Sequence, residues 1–299
     1  MTATVTIDAP AKVNLALRVG PAGGDGYHDV TTVMLTVGLA DTLTATLAQT
    51  GVSLVRDPDP GFPAEDDLTV RAVRALAAAT GSEPAVSLRL EKHIPIAAGL
   101  GGGSADCAAA LVACCRLWSI DPRDSVVTEV ARALGADVPF MVRGGCALYG
   151  GRGDARLSGL PTPELDFVLV NAGVPVPTAD VYRAFDATCP AGCADVDAAV
   201  SAVESGDRRA LAHALANDLT GAALAVAPAI ADVIDFMGQR PGLLGVLLAG
   251  SGGTVFAVAD GAESARTAAD AARHLGWWAV ATSSSGPRDS DDSSPLRVY

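Results

Sequence analysis

The sequence predicts an α/β protein of the α+β kind, with two domains and a short tail. Its 299 residues are enough for about two domains of common size. Strand and helix patterns alternate in the first half, and a Gly/Pro-containing stretch at 155–164 separates them from a second set. We place the domains at 1–158 and 159–282, and a disordered Ser/Asp-rich tail at 283–299.

Hydrophobic periodicity and helix end signals define the individual elements. Apolar residues alternate with polar or small ones over 13–19, which is typical of a half-buried strand. Residues 67–80 have apolar residues at helical spacing and end at Gly81, a common helix stop. In order, we expect strands at 13–19 and 33–39, a helix at 67–80, a strand at 86–90, helices at 104–118 and 124–134, a strand at 167–170, helices between 195 and 238, two strands around Ser251 and a helix at 262–274.

Composition excludes several classes of function. Apolar residues make up 49% and charged residues 18%, so most of the chain is expected to fold. The formal charge of −13 would repel a nucleic acid or an anionic membrane, so we expect neither as a partner. Residues 242–259 carry no charge, but the glycines at 250, 252 and 253 favour strand–turn–strand over a membrane-spanning helix.

The cysteines and the N-terminal residues favour a cytoplasmic location. The six cysteines lack the spacing of a disulfide framework. Cys189 and Cys193 resemble a metal half-site, but no second Cys or His pair stands near them, which argues against a zinc site. The first fifteen residues contain no basic segment followed by an apolar core, so we expect no signal peptide. We therefore expect reduced cysteines in the cytoplasm.

The most informative segment is PIAAGLGGGSAD at 95–106, between a predicted strand and a predicted helix. Its four glycines let the backbone turn sharply and expose N–H groups, and Ser104 is placed to cap the helix. The N–H groups and the positive end of the helix dipole would then face one spot suited to phosphate. A tight packing loop is the alternative. No Gly-Lys-Ser/Thr sequence follows the glycines, so this is not a Walker A loop.

Polar side chains elsewhere are weaker candidates taken singly. Lys12 and Asn14 stand two apart on a strand and project to one face, although a solvated strand face would look the same. Asp137 lies between a helix stop and Pro139, as a turn residue or as a catalytic base. Tyr27 and His28 sit together in a turn, where they could bind a ring by stacking and edge hydrogen bonds or serve no function.

Taken together, five motifs give a specific resemblance. The chain resembles the GHMP kinase superfamily, and within it the kinases that phosphorylate the 2-hydroxyl of a cytidine-diphosphate methylerythritol in isoprenoid precursor synthesis. One departure is a glycine at 253, where relatives often carry another small residue. The motifs, in the order and spacing of that superfamily, are PAKVNL (10–15), DGYH (25–28), PIAAGLGGGSADCAAAL (95–111), GADVPF (135–140) and GSGG (250–253).

The resemblance implies a fold and a set of roles. The fold would combine an N-terminal domain like ribosomal protein S5 domain 2 with a C-terminal ferredoxin-like domain, and the active site would lie between them. Asp137 would take the proton of the substrate hydroxyl, which Lys12 would polarise. ATP phosphates would lie on Pro95, Gly99, Leu100, Gly101, Gly102, Gly103, Ser104 and Ala105.

The resemblance also implies how the substrate binds. Tyr27 and Tyr182 would stack on the two faces of cytosine and His28 would bind its edge, with Asn14 and Thr178 near the methylerythritol part. ATP would bring Mg²⁺, but the sequence names no protein ligand for the metal.

Other functions and the assembly state stay open from the sequence. The chain could be another small-molecule kinase of the superfamily, of mevalonate or homoserine type, or a nucleotide-binding sensor that has lost catalysis. The pair of Tyr27 and His28 argues against the first, because those substrates have no base to stack. Lys12 and Asp137 together argue against the second. We expect a monomer or a homodimer.

Overall fold

Two β-sheets form the centre of the protein. The computed structural model describes residues 3–24, 26–188 and 193–287. The strands in these residues are β1 (Thr4–Ala22), β2 (His28–Leu47), β3 (Val52–Asp57), β4 (Val86–Glu91), β5 (Cys146–Gly150), β6 (Ala155–Leu160), β7 (Asp166–Asn171), β8 (Ala216–Asn217), β9 (Leu243–Leu248), β10 (Thr254–Ala259) and β11 (Trp278–Ser283).

Helices connect and cover these strands, and several begin and end where the sequence predicts. Asp67 caps the first helix by accepting a hydrogen bond from the Thr69 N–H, and Gly81 ends that helix at φ +71°. The predicted helix at 262–274 is confirmed at both ends. The α-helices are α1 (Leu68–Thr80), α2 (Gly102–Trp118), α3 (Ser125–Leu134), α4 (Val138–Arg143), α5 (Thr178–Thr188), α6 (Val196–Ser205), α7 (Arg208–Ala214), α8 (Thr220–Val226), α9 (Ile230–Gly238) and α10 (Ala262–His274).

The first sheet has the strand order β3-β4-β2-β1-β8, and β5 pairs with β2 and with β6. Helices α1, α2, α3 and α4 contribute to one core with side chains of β1, β2 and β4. This arrangement places the loop between β4 and α2 at the end of the sheet, directly beside the middle of β1, where the Lys12 N–H donates to the Leu100 carbonyl (3.0 Å).

The second sheet is antiparallel with the order β11-β7-β10-β9. Numbered along the chain, its strands lie in the order 4-1-3-2 and alternate with helices as βαββαβ, which is the ferredoxin-like arrangement. The predicted ferredoxin-like half and the predicted strand–turn–strand at 242–259 are both confirmed. Among the described residues, no helix has the length and apolar character that crossing a membrane requires.

The two sheets share a core. Val13 and Leu15 of β1 pack in one apolar cluster with Phe167 of β7 and Phe256 of β10, whose rings meet edge to face at 6.0 Å. All four side chains are fully buried. Strand β1 is therefore covered on both faces, rather than on one as its alternating pattern predicts.

A change of face within β1 turns Lys12 and Asn14 inward. The pairing of β1 with β2 is irregular between Pro10 and Lys12. Before this point Ala9 belongs to the core under α1 and α2, whereas after it Val13 belongs to the core between the sheets. Because side chains alternate along a strand, Lys12 and Asn14 then project to the side of α2.

Two sequence predictions need correction. Six of the ten residues at 155–164, predicted as a domain connection, form strand β6, so the boundary placed after residue 158 cuts that strand. The disordered tail predicted at 283–299 is wrong for 283–287, because the Ser284 N–H donates to Leu165 and the Ser285 N–H donates to the Thr36 carbonyl. The rest of that tail lies outside the described residues.

Candidate active site

A cavity of about 1290 Å³ brings the predicted site residues together. Its wall includes β1, the loop before α2, the turn between α3 and α4, α5 and the loop after β9. Leu100 and Ala105 do not line it, because their side chains are buried in the apolar cores. The predicted residues that do line it are Lys12, Asn14, Tyr27, His28, Pro95, Gly99, Gly101, Gly102, Gly103, Ser104, Asp137, Thr178 and Tyr182.

The glycine-rich loop leads into the N-terminus of α2 as expected, but its cap differs. Gly101 is the N-cap, at φ +70°, and no side chain caps the helix. The prediction that Ser104 caps α2 is wrong, because the helix already begins at Gly102 and Ser104 lies within its first turn. The first N–H groups of α2 therefore have no side-chain partner, which suits an anion.

The same loop packs backbone to backbone against the loop between β9 and β10. A Cβ on Gly99 would lie 2.3 Å from the Ala249 carbonyl oxygen, and one on Gly250 would lie 3.1 Å from the Gly99 oxygen. Both glycines have positive φ. The Thr254 N–H also donates to the Ala98 carbonyl (3.1 Å). Only glycine permits this approach, so the two halves of the chain meet at the floor of the cavity.

Lys12 is buried and belongs to a series of hydrogen-bonded polar side chains. Its Nζ donates to Asn14 Oδ1 (2.7 Å), Asn14 Nδ2 donates to Thr32 Oγ1 (2.8 Å), and Thr32 donates to the Ala16 carbonyl (2.7 Å). Lys12 is 5% exposed and Asn14 is 3% exposed. The alternative of a solvated strand face is therefore wrong.

Asp137 supplies the charge that faces Lys12. Its Oδ2 lies 3.3 Å from Lys12 Nζ, and about a third of its side chain remains accessible. Asp137 is the N-cap residue of α4, but its side chain makes no capping hydrogen bond. The carboxylate is thus directed to the cavity and to Lys12, which favours the interpretation as a base over that as a turn residue.

Aromatic residues form a further part of the cavity wall. The rings of His28 and Tyr182 are tilted at a centroid distance of 5.0 Å, and the Arg152 guanidinium lies 4.7 Å from the Tyr27 ring centroid. Burial, together with the nearby Asp137 carboxylate, raises the pKa of Tyr182 to about 12. Asp25, which precedes these residues in the motif, lies outside the described residues.

Sequence reasoning missed the partner of His28. Asp186 Oδ1 lies 2.7 Å from His28 Nε2, and Asp186 is one helical turn after Tyr182 on α5. The spacing of Tyr182 and Asp186 places both on one face of the helix, which the sequence could show, but no local pattern shows that this face meets His28.

A buried cluster of charged residues was also missed. Lys92 Nζ donates to Asp41 and to Asp106 Oδ2 (2.5 Å), and Asp41 also accepts from the Ile94 N–H (2.8 Å). Asp106 Oδ1 is buried without a hydrogen bond, and burial raises the pKa of Asp106 to about 8, against the opposing effect of Lys92. Lys92 and Asp106 line the same cavity. The pairing joins three distant parts of the chain, so no local pattern predicts it.

Metal ligands are not evident in the described residues. No group of three or more His, Cys, Asp or Glu side chains there could hold a metal ion. The half-site at Cys189 and Cys193 lies partly outside the described residues. Cys107, Cys114 and Cys146 are free and buried, and burial raises the pKa of each thiol to about 12.

Comparison with known proteins identifies the family of the chain. Residues 67–145 match the model of the GHMP kinases N terminal domain, and residues 199–276 match that of the GHMP kinases C terminal domain. A 4-diphosphocytidyl-2-C-methyl-D-erythritol kinase from Salinispora tropica is 42% identical over 89% of this chain and 87% of its own length. A protein of that name from Streptomyces coelicolor is 41% identical over 91% of this chain and 93% of its own length.

Solved structures give the same result. The crystal structure of a 4-(cytidine 5'-diphospho)-2C-methyl-D-erythritol kinase superposes with a TM-score of 0.80 at 35% identity, covering 94% of this chain and all of that one. A homoserine kinase from Cytophaga hutchinsonii shares the fold, with a TM-score of 0.72 at 18% identity over 97% of both chains. The chain therefore belongs to the 4-diphosphocytidyl-2-C-methyl-D-erythritol kinase family of the GHMP kinases.

Proposed function

We propose that this ATP-dependent kinase transfers the γ-phosphoryl group of ATP to the 2-hydroxyl of 4-diphosphocytidyl-2-C-methyl-D-erythritol. The observation that carries the proposal is the pair formed by buried Lys12 and accessible Asp137, in one cavity with the uncapped N-terminus of α2. The cavity thus combines a carboxylate that can serve as a base with a helix N-terminus that can hold phosphate, and the names of the relatives point to the acceptor.

Phosphoryl transfer requires positioning and charge neutralisation more than covalent catalysis. In our proposal the ATP phosphates lie against Gly101, Gly102 and Gly103, where backbone N–H groups donate to phosphate oxygens. Asp137 accepts the proton of the substrate hydroxyl as its oxygen bonds to phosphorus, and ADP leaves. Lys12 holds Asp137 in place and offsets negative charge at the reacting oxygens.

Mg²⁺ fits this site as a partner of ATP rather than as a resident metal. Magnesium commonly binds through substrate phosphates and water with few protein ligands, and it neutralises phosphate charge. We propose that the metal enters with ATP, which suits a cavity in which Asp137 faces Lys12 and Asp106 faces Lys92.

Aromatic and polar groups would select the cytosine base. Asp186 as a carboxylate only accepts, so His28 Nε2 carries the proton of their hydrogen bond; in the tautomer with its one proton there, Nδ1 is an acceptor. An acceptor at Nδ1 matches the exocyclic amine of cytosine and disfavours the carbonyl of uracil. We propose that Tyr27 and Tyr182 stack on the base, and that Asn14 and Thr178 lie near the methylerythritol part.

The same proposal covers the cell compartment and partners. Buried free thiols such as Cys114 agree with a reducing cytoplasm. The formal charge of −13 argues against nucleic acid or an anionic membrane as partner. We propose that the enzyme acts on small molecules as a monomer or a homodimer.

A substrate panel tests the proposed function. We expect the cytidine substrate to be phosphorylated with a kcat/KM at least 10²-fold above that of mevalonate, homoserine and galactose, because each lacks a base for Tyr27 and His28. Coupled detection of ADP gives the rates, and ³¹P NMR gives the phosphorylated position. Equal use of mevalonate would assign the chain to another kinase of the superfamily, and ATP binding without turnover of any substrate would indicate a sensor.

The proposed phosphate cradle predicts that a substitution within it weakens the binding of ATP and not that of the cytidine substrate. Gly103 lines the cavity, and a Cβ there would meet only Leu68 Cδ1, at 3.8 Å. Gly103→Val should therefore leave the fold intact but block phosphate, raising the KM for ATP by about 10- to 100-fold for the ~1.5–3 kcal/mol of a charged hydrogen bond. Steady-state kinetics with both substrates measure the effect.

The matched control for that variant is Gly221→Val, in the first turn of α8 and also with open space around it. It should leave both KM values unchanged. If Gly103→Val weakened ATP and the cytidine substrate equally, the loop would be structural rather than a phosphate cradle.

The stacking of Tyr27 predicts a loss specific to the cytidine substrate. Tyr27→Ala should raise the KM for that substrate by roughly 5- to 100-fold, for a stacking contribution of ~1–3 kcal/mol. The KM for ATP should stay unchanged. The control Phe62→Ala, which removes another exposed ring of the cavity wall, should leave the KM for the cytidine substrate unchanged. His28→Ala should relax the preference for cytosine over uracil. Loss of ATP affinity in Tyr27→Ala would contradict the assigned positions of the two substrates.

A further inference from the structure

A second cavity, of about 270 Å³, lies among α3, α4 and the hairpin of β5 and β6. Arg132 of α3, Arg143 of α4 and Arg156 of β6 all line it, together with Asp154 and Thr128. Three of the 21 basic residues of an acidic chain therefore meet at one small cavity. The formal charge of this lining, three arginines against one aspartate, is +2.

These arginines have no carboxylate partner in the part of the chain that the structure describes. No carboxylate oxygen there lies within 4.0 Å of the guanidinium nitrogens of Arg132, Arg143 or Arg156. Asp154 uses its carboxylate to accept from the Arg152 backbone N–H (3.2 Å), and Arg132 Nε donates only to the Asp154 carbonyl (3.4 Å). The three arginines are exposed and share the cavity with one carboxylate, that of Asp154, so the excess positive charge favours a bound anion.

A tyrosine hydroxyl borders the same cavity. Tyr149 is 1% exposed and packs edge to face on Phe140 at 5.7 Å, yet it borders the cavity. Among the described residues none forms a hydrogen bond with its hydroxyl, which therefore keeps a small accessible surface at the cavity. Burial raises the pKa of Tyr149 to about 12, against the opposing effect of Arg156, Arg143 and Arg132, so the hydroxyl keeps its proton and can donate it.

We propose that Arg132, Arg143, Arg156 and Tyr149 form a binding site for a diphosphate group, separate from the site of phosphoryl transfer. Guanidinium groups bind phosphate oxygens through paired hydrogen bonds, and three of them match the charge of a diphosphate. The cavity is smaller than the usual pocket for a drug-sized ligand, and four charged side chains line it. Both properties suit a small inorganic or metabolite diphosphate.

The position of this site couples it to the large cavity. Arg132 lines both cavities, and α4, which carries Arg143, begins directly after Asp137. A diphosphate held by Arg132 would lower the positive potential on that side of the large cavity.

Calorimetric titration of pyrophosphate into the whole protein, in magnesium-free buffer, tests the proposal. The wild type should bind one more pyrophosphate per chain than the double variant Arg143→Gln/Arg156→Gln. The control Arg209→Gln/Arg266→Gln removes the same charge at exposed positions elsewhere and should bind like the wild type. Tyr149→Phe keeps the packing on Phe140 and should weaken the additional site by about 3- to 30-fold.

Further measurements locate the site and define its ligand. Crystals soaked in tungstate should show the heavy anion between Arg143 and Arg156, and inorganic phosphate should bind there at least tenfold more weakly than pyrophosphate. Both double variants should keep kinase activity, which separates this proposal from that of the proposed function. Equal pyrophosphate stoichiometry in the wild type and in Arg143→Gln/Arg156→Gln, or equal affinity for phosphate and pyrophosphate, would overturn the proposal.

Discussion

The buried ammonium of Lys12 is the charge on which the rest of the site depends. A charged group that leaves water is stable only when hydrogen-bonded and paired, and Lys12 has Asn14 on its own strand and Asp137 across the cavity. The backbone N–H of Lys12 donates a hydrogen bond to the carbonyl of Leu100 in the glycine-rich loop. One residue thus connects β1, the loop before α2 and the start of α4, so that the proposed base and the proposed phosphate cradle share a fixed geometry.

Close packing of glycines holds this arrangement in place. Gly101 approaches the Lys12 side chain so closely that an added Cβ would lie 3.1 Å from Lys12 Cγ and 2.7 Å from Met141 Cε. Gly99 meets the loop around Gly250 from the second half of the chain in the same way. The core between the sheets supports both loops from below, so the cavity forms only when the two halves are packed together.

Local signals predicted much of the fold, and long-range pairing accounts for most of what they missed. Caps and periodicity placed α1 and α10, and the resemblance to the GHMP kinases implied that Lys12 and Asp137 share one site. The prediction that Ser104 caps α2 was wrong because the glycines let the helix begin earlier, at Gly102. Burial of both faces of β1 and the pairing of His28 with Asp186 depend on parts of the chain far apart in sequence, which periodicity cannot read.

The central claim is that Lys12 and Asp137 act as one catalytic unit, and a double-mutant cycle on kcat/KM tests it most directly. Lys12→Met, Asp137→Asn and the double variant are compared with the wild type, with ATP affinity and Tm confirming that each remains folded. We expect each single change to lower turnover by roughly 10²-fold or more, and the double change to cost little beyond either. Near-wild-type turnover of Asp137→Asn, or losses that multiply in the double variant, would contradict this account.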